Sequence, residues 1–103
     1  KVLVPRPKTE IIIEEILNIT KNKSKLKILD IGVGSGCILL SILNEKKNFF
    51  GTGLDISKES LKICEINADK LGIKNRIKFF NMKKLSCNVN PPFEINCTII
   101  IGI

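Results

Sequence analysis

The feature that constrains this chain most is a short apolar segment that runs directly into three glycines at alternating positions. The pattern of Lys27 to Ile31 predicts a strand, Gly32, Gly34 and Gly36 follow it, and Cys37 to Asn44 is largely apolar at helical length. Glycine adopts backbone conformations that other residues avoid, and it lets a flat ligand lie close against the main chain. We therefore predict a strand, a glycine turn and a helix whose first N–H groups remain available to a ligand.

Two acidic residues stand at the ends of predicted strands. Phe49 to Leu54 forms the second strand and ends at Asp55, whose carboxylate can accept hydrogen bonds from both ribose hydroxyls of an adenosine group. In the alternative interpretation, the only role of Asp55 is to cap the helix that begins at Ser57. Asp30, at the end of the first strand, can support the glycine turn or accept a charge-assisted bond from an ammonium group of a cofactor.

The glycine spacing separates classes of cofactor. A dinucleotide fingerprint would place its third glycine at residue 37, which is Cys37, so NAD and FAD are the weaker interpretation. A P-loop is excluded because no Gly-Lys-Ser/Thr follows. The succession of strand, three glycines, helix, strand and terminal acid instead favours another adenosine cofactor.

Helices and short apolar strands alternate along the rest of the chain. We predict an extended segment from Val2 to Pro7, a first helix from about Thr9, a third helix with one apolar face, and two further strands. The apolar face comprises Leu61, Cys64, Ala68 and Leu71, and the further strands are Arg76 to Phe80 and Ile95 to Ile101. Such alternation predicts an α/β fold with a parallel sheet of about four strands and flanking helices.

Composition limits the other possibilities. A chain of 103 residues has room for one domain. Its net charge of +7 could attract nucleic acid, but the lysines are scattered in sequence without alternating aromatic residues, so nucleic acid is the less favoured partner. The four cysteines form no C-x-x-C pair and there is no histidine, so we expect no metal site and mostly buried, reduced thiols. No segment has the ~20 apolar residues of a membrane span, so we expect a cytoplasmic protein without a membrane partner.

Several segments together resemble the peptide-chain release-factor glutamine methyltransferases. Residues 2–10 (VLVPRPKTE) resemble that family's P-R-P-E-T-E segment, and residues 28–38 resemble its cofactor loop. Residues 53–57 (GLDIS) and 67–76 match the end of its second strand and the helix and turn that follow. The similarity covers most of residues 2 to 80. The chain departs from the family at Lys83-Lys84, where an Asp-Trp pair usually lies beside the adenine.

The resemblance implies a partial, three-layer Rossmann-like fold that uses S-adenosylmethionine to methylate the side-chain nitrogen of a glutamine in a release factor. The cofactor contacts implied are Gly32, Val33, Gly34, Ser35, Gly36, Asp55 and Ile56, and Asp30 joins them by the argument above. An adenine-N6 DNA methyltransferase fragment and an inactive methyltransferase that only binds cofactor or a partner are the alternatives.

The family's substrate motif, Asn-Pro-Pro-Tyr, follows its fourth strand, and two registers compete for it here. In the first register, the motif corresponds to Asn90, Pro91, Pro92 and Phe93, which have nearly the same residue types. Asn90 is then the only candidate catalytic residue, and these four residues are the candidate substrate site. The polar stretch before them does not suit a buried strand, however. The favoured register instead puts Phe93-Glu94-Ile95 at the start of the strand and residues 99–102 at the motif.

The sequence thus divides into an amino-terminal segment and helix (1–26), a cofactor-binding half (27–80), and a loop with a last strand (81–103). The family's helical amino-terminal domain and its last strands have no counterpart in the sequence. We therefore expect a truncated domain that associates with a second copy or is completed by another segment.

Overall fold

The structure, a computed structural model, describes residues 2–4, 9–82 and 99–102. Three helices and five strands lie within these ranges. The elements are β1 Val2–Val4, α1 Thr9–Ile19, β2 Lys27–Ile31, α2 Cys37–Glu45, β3 Phe50–Asp55, α3 Lys58–Lys70, β4 Ile77–Asn81 and β5 Ile99–Ile101, with a 3-10 turn at Lys74–Arg76 before β4. The alternation of strands and helices predicted from the sequence is confirmed.

The strands form one parallel sheet in the order β1-β5-β2-β3-β4. The fifth strand beyond the predicted four is β1, which the prolines after it had suggested to be only an extended segment. It forms a strand because β5 offers it a pairing edge, with Val2 opposite Ile99 and Val4 opposite Ile101.

The order of strands contains a reversal beside β2. From β2 the chain moves outward to β3 and then β4, and β5 returns to the opposite side of β2. Open α/β sheets bind ligands outside the carboxyl ends of their strands at such a switch point. The glycine turn leaves β2 at this place.

The three helices pack on one face of the sheet. Residues from all three share a single core with alternate strand residues, and the core includes Ile12 and Ile16 of α1, Leu39 and Leu43 of α2, Leu61 and Cys64 of α3, and Ile28, Ile77, Ile99 and Ile101 of the sheet. The opposite face carries a smaller cluster around Leu29 and Leu54, to which none of the described helices contributes. The described residues therefore supply two layers of the three-layer fold, as a partial domain would.

One expectation about a buried residue is wrong. Leu71 is 44% exposed because α3 ends at Lys70, so Leu71 lies beyond the last helical residue. Gly72, with φ +72°, then turns the chain. Cys37 is exposed at the start of α2, whereas Cys64 is buried as expected. Cys87 and Cys97 lie outside the described residues.

None of the described helices combines the length and the apolar character needed to cross a bilayer. Within the same residues, no group of three or more His, Cys, Asp or Glu side chains is arranged to hold a metal ion.

Candidate functional site

The glycine turn is an irregular loop between β2 and α2. Gly32, Gly34 and Gly36 have φ values of 77°, 61° and 87°, in the left-handed region that side chains disfavour. The N–H groups of Gly32 and Val33 both donate to the carbonyl of Leu54, at 2.8 and 2.9 Å, which fixes the start of the loop against β3. The glycines therefore give the loop a shape that a regular helix or strand would not have.

Gly36 is required for space as well as for backbone conformation. A Cβ atom at this position would lie 2.9 Å from Cδ1 of Leu40, closer than real Cβ atoms come, and 3.0 Å from Sγ of Cys64, which is tighter than most real contacts. Gly36 also stands at the N-cap of α2, where it has no side chain to occupy the first N–H groups of the helix. Those N–H groups therefore remain available to a ligand that binds at the loop.

Asp55 joins the glycine loop to the end of β3. Its Oδ2 accepts a hydrogen bond from the N–H of Gly34 at 2.9 Å, and its Oδ1 accepts one from the N–H of Ser57 at 2.9 Å. Ser57 in turn caps α3, with Oγ accepting from the N–H of Ser60 at 3.2 Å. Of the two roles that the sequence left open for Asp55, the structure shows ordering of the turn before α3, together with a bond to the loop, and the ribose contact stays a prediction.

The carbonyl of Gly34 has its own partner on α3. The thiol of Cys64 donates to this oxygen, with Sγ 2.9 Å away. Burial raises the pKa of Cys64 to about 11, and the negative charges of Asp30 and Asp55 act in the same direction. The thiol therefore keeps its proton at neutral pH and remains a donor.

Gly34 is consequently held at both polar groups of its backbone, by β3 through Asp55 and by α3 through Cys64. Sequence reasoning placed Cys64 on the buried face of its helix but did not detect its contact with the loop. The only available signal was a polar atom among aliphatic residues on that face.

Two of the predicted site residues point away from solvent. Asp30 is fully buried at the end of β2, where its backbone pairs with Gly53 on one side and Ile101 on the other. The side chain of Val33 belongs to the core, and its carbonyl accepts from the N–H of Gly36 at 3.0 Å. Burial of Asp30 favours support of the loop over direct contact with a ligand.

The exposed residues of the candidate site are at the tip of the loop and immediately after Asp55. Ser35 is exposed at the tip of the loop, and Ile56 is 60% exposed immediately after Asp55. A cleft of about 480 Å³ borders Ile56, Ser57, Lys58 and Glu59. Clefts of this size commonly hold small ligands, and Ile56 gives this one an apolar surface beside the carboxylate.

The candidate substrate residues Asn90, Pro91, Pro92 and Phe93 lie outside the described residues. The favoured register for the motif is wrong, because Ile99–Ile101 form the strand beside β2 and do not follow it. The alignment in this register placed three isoleucines at the motif, but an apolar run of this kind forms the buried strand itself. The other register, at residues 90–93, lies outside the described residues and stays a prediction.

Comparison with known proteins settles the family. The family described as "Methyltransferase domain" matches residues 22–88, which include the loop, Asp55 and Cys64. This chain belongs to that family. Among solved structures, the methyltransferase domain superposes on a SAM-dependent methyltransferase from Geobacter sulfurreducens in complex with S-adenosyl-L-homocysteine, with a TM-score of 0.61, 25% identity, and coverage of 71% of this chain and 29% of the other.

Curated relatives of the methyltransferase domain carry a more specific name. A release factor glutamine methyltransferase from Buchnera aphidicola subsp. Schizaphis graminum is 42% identical over 95 residues, which are 92% of this chain and 34% of the relative. The protein of the same name from Caulobacter vibrioides is 43% identical over 75 residues, 73% of this chain and 26% of the relative. The chain therefore spans about a quarter to a third of the length of these relatives.

Proposed function

We propose that this methyltransferase domain binds S-adenosylmethionine across the glycine loop and the end of β3, as part of an enzyme that methylates the side-chain nitrogen of a glutamine in a release factor. The observation that carries the proposal is the orientation of Asp55, whose carboxylate is bonded to the loop and to the turn before α3. The site fits the cofactor because it joins a loop with three glycines to a fixed acid.

Asp55 has the right remaining capacity for a ribose. Each carboxylate oxygen has two acceptor positions, and each uses one of them for a backbone N–H. The second position on each oxygen is left for a hydroxyl donor, so a vicinal diol could bind both oxygens together. Because two N–H groups already fix the carboxylate plane, little side-chain entropy is lost when the diol binds.

The loop and the neighbouring residues suit the other parts of the cofactor. Ile56 offers an apolar contact for the adenine, and the uncapped N–H groups at the start of α2 favour a carboxylate such as that of the methionine end. The buried carboxylate of Asp30 adds negative charge under the loop, which favours the cofactor's positive groups.

The cofactor supplies the reactive methyl group when it is bound, and the described residues supply orientation. The release-factor substrate rests on the names of the relatives and on the similarity of residues 2–80 to that family. We assign no catalytic side chain, and Asn90 remains the candidate. A cytoplasmic location and association with a second copy or segment also remain predictions.

A second candidate, binding of cofactor without turnover by this chain, is favoured by one observation. At the carboxyl end of β5, the position after the strand is Gly102, and the Asn-Pro-Pro sequence lies earlier in the chain. Gly102 itself has no side chain that could hold an amide substrate at that position.

Calorimetric titration of the full chain with S-adenosylhomocysteine tests the cofactor site. Asp55→Asn removes the charge but keeps the shape, and we expect affinity to fall about tenfold or more, since hydrogen bonds to charged groups are the strong ones. Asp69→Asn neutralises an exposed acid near the carboxyl end of α3, away from the loop. It is the control and should leave the affinity unchanged. Equal affinities for all three proteins would contradict the proposed site.

The substrate is tested separately with labelled S-adenosylmethionine, offering release factor and duplex DNA in parallel. Label on the release factor supports the proposed enzyme. Label on DNA alone would support an adenine methyltransferase, and binding without transfer to either would support the second candidate.

A further inference from the structure

Most of the positive charge of the described residues lies at the amino ends of the strands, at the opposite end of the sheet from the candidate cofactor site. Three connections lead from the ends of α1, α2 and α3 back into the sheet at the amino ends of its strands, and they comprise residues 20–27, 45–50 and 70–76. We call the surface formed by these three segments the amino edge.

The amino edge is one continuous surface. Nζ of Lys46 donates to the carbonyl of Thr20 at 3.4 Å, and the N–H of Phe50 donates to the carbonyl of Leu26 at 2.8 Å, so the first two segments are joined. The guanidinium of Arg76 donates to the carbonyls of Lys46 and Phe49, at 3.0 and 2.8 Å, and joins the third segment to the second. The charges on the three segments therefore add to one electrostatic potential above this surface.

The distribution of charge is uneven. Between residues 9 and 82 there are twelve Lys and Arg and nine Asp and Glu, and the amino edge has nine of the basic residues but only one of the acids, Glu45. Its net charge is +8, whereas the other residues between 9 and 82 have a net charge of −5. A lysine-rich composition alone would spread basic residues over the whole surface, and these segments are less than a third of that stretch.

Most of this charge is accessible. Seven lysines of the amino edge are exposed: Lys21, Lys23, Lys25, Lys27, Lys47, Lys70 and Lys74. Arg76 is directed inward to carbonyls at the end of α2, and each of the three helix carboxyl ends here carries about half a negative charge. These terms together offset only a minor part of the net charge, so the potential above the amino edge is positive.

An aromatic ring lies beside one of the lysines, Lys27. Phe50 is 39% exposed at the first position of β3, and it pairs with Lys27 of β2. Paired residues of neighbouring strands place their side chains on the same face, so the ring and the ammonium group are adjacent. A cationic surface with an exposed ring suits a strand that offers phosphates and unstacked bases.

We propose that the amino edge binds single-stranded nucleic acid through its phosphates, with Phe50 as a stacking surface. The binding is independent of the cofactor site, which lies at the other ends of the strands. An anionic membrane would attract the same lysines, but interfacial binding also requires a broad apolar helix face, and the amino edge consists of short connections. The fold thus brings together lysines that are scattered in the sequence.

Fluorescence anisotropy with a labelled RNA oligomer of ~16 nucleotides tests the proposal on the full chain. The triple variant K21Q/K23Q/K25Q should weaken binding at least tenfold at low salt and reduce the slope of log affinity against log salt by about 2. The matched control K58Q/K62Q/K78Q, which removes three exposed lysines outside the amino edge, should change affinity less than about threefold. Phe50→Leu should weaken binding several-fold without changing the salt slope.

Three further results complete the test. Single-stranded DNA of the same sequence should bind within about threefold of the RNA, since the contacts do not include the 2′-hydroxyl. Equal losses in the two triple variants would mean that only net charge matters, and would overturn the proposal. Binding to vesicles of phosphatidylglycerol and phosphatidylcholine that depends on Lys21, Lys23 and Lys25, without binding to the oligomer, would also overturn it.

Discussion

The backbone N–H of Gly34 donates to the carboxylate of Asp55 across 2.9 Å, although 21 positions separate the two residues in the chain. The contact connects two neighbouring strands at their carboxyl ends, because the loop that contains Gly34 leaves β2 and Asp55 ends β3. It sets the carboxylate beside the backbone of a glycine in a loop of three glycines. The predictions below concern how this arrangement is held and what it binds.

Substitution of Gly36 should damage both stability and binding. In Gly36→Ala the new Cβ meets Leu40 and Cys64 at a φ of +87°, so we expect the free energy of unfolding to fall by about 2 kcal/mol and affinity for S-adenosylhomocysteine to fall as well. Urea denaturation and calorimetry measure the two effects. Gly72→Ala is the matched control, because its φ is also positive but no atom lies within 4 Å of a Cβ there. It should cost about 1 kcal/mol and leave affinity intact.

The hydrogen bond from Cys64 should contribute to cofactor affinity. Cys64→Ala leaves the carbonyl of Gly34 without its donor, and we expect weaker binding of S-adenosylhomocysteine by about threefold to tenfold. Cys64→Ser keeps a donor and should recover part of the loss. Leu61→Ala is the control, since it removes buried surface from the same helix but keeps the donor to Gly34. A loss of affinity in Leu61→Ala as large as that in Cys64→Ala would reduce the role of Cys64 to general stability.

The same thiol should make stability depend on alkaline pH. Its pKa is raised from 9.0 to about 11 in the folded chain, so the folded state holds the proton more tightly than the unfolded state. The resulting stabilisation is fully present below pH 9 and is lost as pH rises toward 11, by up to about 2 to 3 kcal/mol. Urea denaturation at several pH values measures it, with Cys64→Ser as reference because the lysine titrations are common to both proteins. Parallel stability curves for the two proteins would be the contrary result.

Arg76 should be needed for stability more than for binding. Its guanidinium donates to the carbonyls of Leu43, Lys46 and Phe49 at 2.8, 3.0 and 2.8 Å, which satisfies the end of α2. Arg76→Met should lower the free energy of unfolding by about 2 to 4 kcal/mol, because several buried acceptors lose their donors. Arg76→Lys should recover only part of this, since an ammonium group does not have the planar geometry of the fork. Thermal denaturation of the two variants checks the order.

Local patterns in the sequence were sufficient to predict how the glycine loop and Asp55 are arranged. The glycine positions and the acid at the end of the second strand depend on alternation and on spacing, and the structure places Gly34 and Asp55 in contact. The cap at Ser57 and the end of α3 near Gly72 were likewise predicted from residue type. These features are encoded by residues close to one another in the chain.

Contacts between distant elements could not be predicted in this way. The bond from Cys64 to Gly34 spans 30 positions, and the strand at Val2–Val4 exists only because β5 lies beside it. Leu71 fits the helical period but lies just after the last turn of α3. The gathering of lysines at the amino edge also depends on how the connections are brought together, which the sequence alone does not indicate.

The most direct test of the central claim is a titration of the isotope-labelled chain with S-adenosylhomocysteine, followed by amide chemical shifts in NMR spectra. We predict that the largest shifts occur at Gly32, Gly34, Gly36, Asp55 and Ile56, and that amides of the amino edge such as Lys23, Lys47 and Asn75 barely move. Shifts that spare Gly34 and Asp55, or that concentrate at the amino edge, would contradict the account.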